Sequence, residues 1–155
     1  MNWLFNFGRK KLLIIYVIAD LFCVGLGMGV PIFCIILGFP VGWFLTKRIY
    51  ASNLDMKHNL SIIFRYASVT SAFTMLLMIL IWGSFIPMIW DPKADLANFG
   101  IPLILYDPKL SFIGWLILMI VISPFLQLMS AVFTSFITLM NETNQSQIIS
   151  QSKKE

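Results

Sequence analysis

The sequence predicts an all-α integral membrane protein with four transmembrane helices. They pair as a short N-terminal hairpin (about 12-28 and 30-46) and a long C-terminal hairpin (about 62-89 and 111-140). Three observations carry this. Of 155 residues, 59% are hydrophobic and 12% are charged, against about 45–50% and about 25% in an average soluble domain, which excludes an ordinary soluble fold. The charges are segregated: Leu12 to Thr46 holds one ionisable acid, Asp20, while Tyr66 to Trp90 and Leu110 to Asn141 hold no charged residue. Such runs are as long as a bilayer is thick. Finally, the basic residues behind the net charge of +4 flank the apolar runs. That is the pattern of topology signals and headgroup contacts. The aromatic residues lie inside the apolar runs where no phosphate would follow them, so nucleic acid is not an expected partner.

The first segment, Arg9-Lys10-Lys11 followed by LLIIYVIA, has the charge and hydropathy of a signal sequence. No small-x-small cleavage site follows, so it reads as an uncleaved anchor. From Leu12 to Leu45 the chain has 34 apolar-rich residues, about 51 Å as one helix, far more than the roughly 30 Å of hydrocarbon. Gly25, Gly27, Gly29 and Pro31 fall in its middle, where glycine and proline weaken a helix. A hairpin near residues 28–30 divides the stretch into two crossings. It also puts Arg9–Lys11 and Lys47–Lys57 on one side, as the positive-inside tendency requires. A re-entrant hairpin is the competing arrangement, because each half slightly undershoots the bilayer.

The third segment then crosses outward and the fourth returns, leaving both termini cytoplasmic. Nine Lys and Arg fall inside and two, Lys93 and Lys109, outside. The expected organisation is one membrane domain over 1-140, with an extracytoplasmic loop at 90-110 and a polar cytoplasmic tail at 141-155. The loop repeats a device, Trp90-Asp91-Pro92-Lys93 and Tyr106-Asp107-Pro108-Lys109. In each copy Asp can cap a helix whose first position is proline. The second copy starts the last crossing, and the first is expected to start a short helix through Asn98. Trp90, Tyr106 and Trp115 suit a headgroup boundary. The tail, rich in Asn, Gln, Ser and Thr, reads as a fraying helix that becomes disordered.

Asp20 is the most informative residue. It lies about nine residues, or roughly 13 Å, into the first crossing, where a carboxyl needs a partner or a proton. On the last crossing, Ser123, Gln127, Ser130, Thr134, Thr138 and Asn141 recur at steps of three and four, forming a polar seam that must face protein or water. On the third, Ala67, Thr70, Ser71 and Thr74 form a small, hydroxyl-bearing face suited to close helix approach. Depth counting places Asp20, Ser71 and Ser130 at one level. The expected intramembrane polar cluster is therefore Asp20, Arg65, Ser71, Gln127, Ser130 and Thr134, with Ser71, Gln127 and Ser130 the leading partners of Asp20. Pro124 is expected to kink the last helix.

No catalytic, cofactor-binding or metal set is expected. Cys23 and Cys34 do not form a C-x-x-C pair, His58 has no second ligand in spacing, and Gly25-x-Gly27-x-Gly29 lacks the context of a phosphate loop. No Ser-His-Asp set or H-E-x-x-H motif is present. These readings lead to a non-enzymatic, multi-pass membrane subunit or interaction protein. Its partners would be the lipid bilayer and either a second copy or a heterologous membrane subunit. The alternative is a small oligomeric proton- or cation-coupled transporter or channel using Asp20 and the seam.

Overall fold

A computed structural model describes residues 9–26, 32–50, 56–101 and 105–152. Among these the architecture is all-helical. Helix α1 spans Arg9–Leu26, α2 Ile32–Tyr50 and α3 Met56–Trp82, the last continuing into a 3-10 segment, Gly83–Ile89. The final helix has three parts: α4 Pro108–Ile117, a π segment Leu118–Ile122, and α5 Ser123–Ser152. Residues 32–49, 58–89 and 108–145 form helices long and apolar enough to cross a membrane, whereas the apolar stretch of α1, Ile14–Gly25, is shorter. The expected hairpin turn at 28–30 lies outside the described residues.

Several boundaries differ from expectation. Helix α3 begins at Met56, about six residues before the expected start, and takes in the polar residues Lys57, His58, Asn59 and Ser61. The tail is helical through Ser152. A helix that is already nucleated adds residues at little cost, and two contacts hold this extension. Thr143 Oγ1 donates to the Leu139 carbonyl at 2.9 Å, and Glu142 pairs with Lys47 at the end of α2.

The 91–98 helix does not form, and this part of the loop is a series of turns. Asp91 accepts from the Lys93 amide at 2.9 Å. Asp95 accepts from both the backbone and the side-chain amide of Asn98, the local bonding that competes with helix. The second device works as expected: Asp107 accepts from the amides of Lys109 and Leu110, with Pro108 at the first helical position. Edge-on or tilted ring contacts run from Trp82 through Phe85 and Phe99 to Phe112, with centroids 5.7, 5.4 and 5.3 Å apart, tying the loop to the bundle.

Trp90 is 72% exposed, but Trp115 is buried with Val24, Cys34, Met78 and Met119 in the apolar core. Trp115 is thus a core residue and not a boundary residue, because its face of α4 is the one that meets α1, α2 and α3.

The closest helix pair is α2 with α5, and glycine makes it possible. A Cβ on Gly38 would lie 2.4 Å from the Gln127 carbonyl oxygen, and one on Gly42 would lie 2.1 Å from that of Ala131. Only hydrogen fits at these positions. One turn on, Thr46 Oγ1 donates toward the Ser135 carbonyl at 3.3 Å, and Ser135 Oγ donates to the Gly42 carbonyl at 3.0 Å. Gly38-x-x-x-Gly42-x-x-x-Thr46 therefore docks against Gln127, Ala131 and Ser135, small residues permitting close backbone approach.

Candidate functional site: a buried polar network around Asp20

The network is assembled from three helices. Asp20 on α1 is fully buried, as is Thr74 on α3, and Gln127 on α5 is 3% exposed. Thr74 Oγ1 donates to Asp20 Oδ2 at 3.0 Å. The Tyr16 hydroxyl, one turn before Asp20, donates to the Thr70 carbonyl oxygen at 2.8 Å and lies 2.8 Å from Thr74 Oγ1, a contact in which either hydroxyl can donate. Gln127 Nε2 donates to the Tyr16 oxygen at 3.3 Å. A chain of hydrogen bonds thus links Gln127 through Tyr16 and Thr74 to the carboxyl of Asp20. Beside this chain, Ser71 Oγ donates to the Pro124 carbonyl at 2.5 Å, joining α3 to α5.

The backbone of the last helix is irregular at this level. Ser123 N–H bonds to the Leu118 carbonyl, five residues back. Pro124 supplies no amide proton, and the widened π turn absorbs the ring that an α turn would crowd. The expected distortion at Pro124 therefore takes the form of a π segment ahead of the proline.

Three oxygens around the network have no hydrogen-bond partner: Asp20 Oδ1, Ser123 Oγ and Gln127 Oε1. All belong to buried residues. Among the described residues no three His, Cys, Asp or Glu side chains come together to hold a metal ion. The nearby cavity, about 150 Å³, is lined by Leu21, Val24, Gly25, Met78, Ile81, Trp82 and Met119. Those residues lie within about two turns of Asp20, Thr74 and Ser123 on the same helices. A larger groove of about 430 Å³ runs between α3 and α5 near Phe64 and Phe133 and is lined almost wholly by apolar side chains.

Of the expected cluster, Asp20 and Gln127 are in the network and Ser71 adjoins it. The side-chain partner of Asp20 is Thr74, not Ser71, Gln127 or Ser130. Ser130 and Thr134 bond instead to their own helix, at the Leu126 and Ser130 carbonyls. Arg65 is exposed and lies nine residues, about 13 Å along α3, from Thr74. It is not part of the network.

Sequence reasoning left Thr74 and Tyr16 out of the cluster, although Thr74 lies on the small, hydroxyl-bearing face of the third crossing and Tyr16 stands one turn before Asp20. It did not single out Gly38, Gly42, Thr46 and Ser135 as a packing line, although Gly38, Gly42 and Thr46 stand four apart in an apolar helix. No protein-family model, curated protein or solved structure matches the chain.

Proposed function

We propose that the chain inserts into a membrane as four crossings, the first of them short, with both termini cytoplasmic. In this reading it works as a non-enzymatic subunit or interaction protein of a membrane complex. One observation carries it: Tyr16, Thr46, Ser71, Thr74 and Ser135 turn their hydroxyls onto one another or onto backbone carbonyls, while the outward faces are largely apolar. Ile18, Phe22, Val69, Leu80, Phe125 and Phe133 are each at least 56% exposed, an arrangement suited to lipid or to another apolar helix. The excess of Lys and Arg at the helix ends supports the orientation. Neither cavity adjoining the bundle brings together a nucleophile and a base, so the geometry offers no support for an enzyme. Co-purification from native membranes in mild detergent tests the proposal. A heterologous membrane protein at fixed stoichiometry is expected, and recovery of this chain alone would overturn it.

The transport reading is favoured by a different observation, the unpartnered Asp20 Oδ1 in mid-helix. Liposomes carrying wild type and Asp20→Asn test it through proton and cation flux. Equal flux in the two removes Asp20 from any such path.

A further inference from the structure

The geometry points to a binding site for a small monovalent metal cation, sodium in size and hardness, with the Asp20 carboxylate as its anionic pole and oxygens of Gln127 and Ser123 completing it. The proposal stands apart from transport: equilibrium binding tests the site and flux tests transport, so either can fail without the other.

The argument begins with charge. Asp20 is fully buried, and the Lys47–Glu142 ion pair is at the far end of α2. Lys and Arg are also absent from the described parts of α1, α3 and α5 within two turns of Asp20, Thr74 and Gln127. A buried carboxylate without a cation is costly. The groups facing it from each packed helix are known: Tyr16 and Cys23 on its own helix, Cys34 on α2, Thr74 on α3 and Gln127 on α5. None of them is cationic.

The donor count sharpens this. The one hydrogen bond to the carboxyl comes from Thr74 and uses Oδ2, leaving Oδ1 without a partner. Gln127 turns its nitrogen toward Tyr16, which orients its oxygen elsewhere, and that oxygen is also unpartnered. Ser123, one turn earlier on the same face of α5, adds a third. What the site has in surplus is buried oxygen acceptors: one carboxylate, one amide and one hydroxyl. Hard oxygen donors of this kind suit alkali and alkaline-earth ions and not the soft metals that prefer thiolates.

The backbone beside Ser123 is irregular as well: its amide bonds five residues back to the Leu118 carbonyl, and Pro124 has no amide proton to offer. A single negative charge matches a monovalent ion better than a divalent one, which would leave the interior with a net positive charge.

Thermal unfolding of the purified full chain in lipid nanodiscs tests the site, with sodium chloride replacing choline chloride at constant ionic strength. The wild type is expected to show a saturable rise in midpoint with sodium, since a ligand that binds only the folded state stabilises it. Asp20→Asn, which keeps an oxygen for Thr74, is expected to lose that rise. Gln127→Leu is expected to shift the half-saturating sodium concentration upward by about tenfold or more. Calorimetric titration of sodium into the wild type gives a readout independent of variant folding. No saturable response in the wild type, or an equal response in Asp20→Asn, overturns the proposal. So does a wild-type response to pH with none to sodium, which would make the neutralising ligand a proton.

Discussion

Replacing Gly42 by alanine adds one methyl group where α2 meets α5, and the outcome can be worked from distances. The new Cβ would lie 2.1 Å from the Ala131 carbonyl oxygen, 2.9 Å from its carbon and 3.0 Å from its Cα. These are backbone atoms of a helix, so no side chain can swing aside. Reaching ordinary contact at 3.4 Å requires a displacement of 3.4 − 2.1 = 1.3 Å. The Thr46 to Ser135 bond, now 3.3 Å, and the Ser135 to Gly42 bond, now 3.0 Å, both cross this interface, and a shift of that size would break or strain them. Overpacking costs about 1–3 kcal/mol, and each interhelical hydrogen bond in a membrane protein is worth about 0.6 kcal/mol on average. The expected loss is about 2–4 kcal/mol. Gly114→Ala is the matched control: nothing lies within 4 Å of its Cβ, and the helix-propensity gain is about 0.5–1 kcal/mol. Both variants are compared with wild type by circular dichroism during thermal unfolding in one detergent. If Gly42→Ala unfolded at or above the wild-type midpoint, the close α2–α5 contact would be wrong.

Three further outcomes follow from the same geometry. Tyr16→Phe removes the hydroxyl that Gln127 donates to and that contacts Thr70 and Thr74. It should cost about 1–3 kcal/mol in the same unfolding assay, and a neutral result would argue against the network. Asp107→Ala removes the cap on the Lys109 and Leu110 amides and should destabilise the start of α4 by about 1 kcal/mol. The sign would be faster hydrogen exchange at residues 109–111, with Asp107→Asn near wild type. Lys47→Glu should loosen the last helix beside Glu142, and combining it with Glu142→Lys should recover part of the loss. The pair is about one-third and one-fifth exposed on its two sides, so the coupling should be about 0.2–1 kcal/mol and fall with added salt.

The helices were legible because apolar runs of bilayer length have few other readings, and Asp20 was legible because an acid within such a run demands compensation. The level of its partner was missed by one turn. A depth count fell on Ser71, whose hydroxyl is spent on the Pro124 carbonyl, whereas Thr74, three residues further along α3, is the partner. The polar seam failed in part for a related reason. Steps of three and four keep one straight face, whereas the line packed against α2 follows steps of four through Gln127, Ala131 and Ser135 and leaves that face after Gln127. Ser135, which is not one of the seam residues, is consequently 1% exposed. Ser130 and Thr134 satisfy themselves on their own backbone, an option open to any helical hydroxyl. Trp115 was misplaced because its type suits an interface, while burial depends on which face of α4 it occupies.

The central claim, a membrane bundle that turns its polar network inward, is tested most directly by single-cysteine labelling in intact cells. In a background with Cys23 and Cys34 changed to serine, cysteines replace Lys93, Gln145 and Phe133 one at a time. The account predicts that a membrane-impermeant maleimide labels position 93 from outside and position 145 only after permeabilisation. Position 133, on an apolar exposed face, should resist the reagent in both conditions. Labelling of 93 and 145 from the same side, or ready labelling of 133 by the water-soluble reagent, would contradict it.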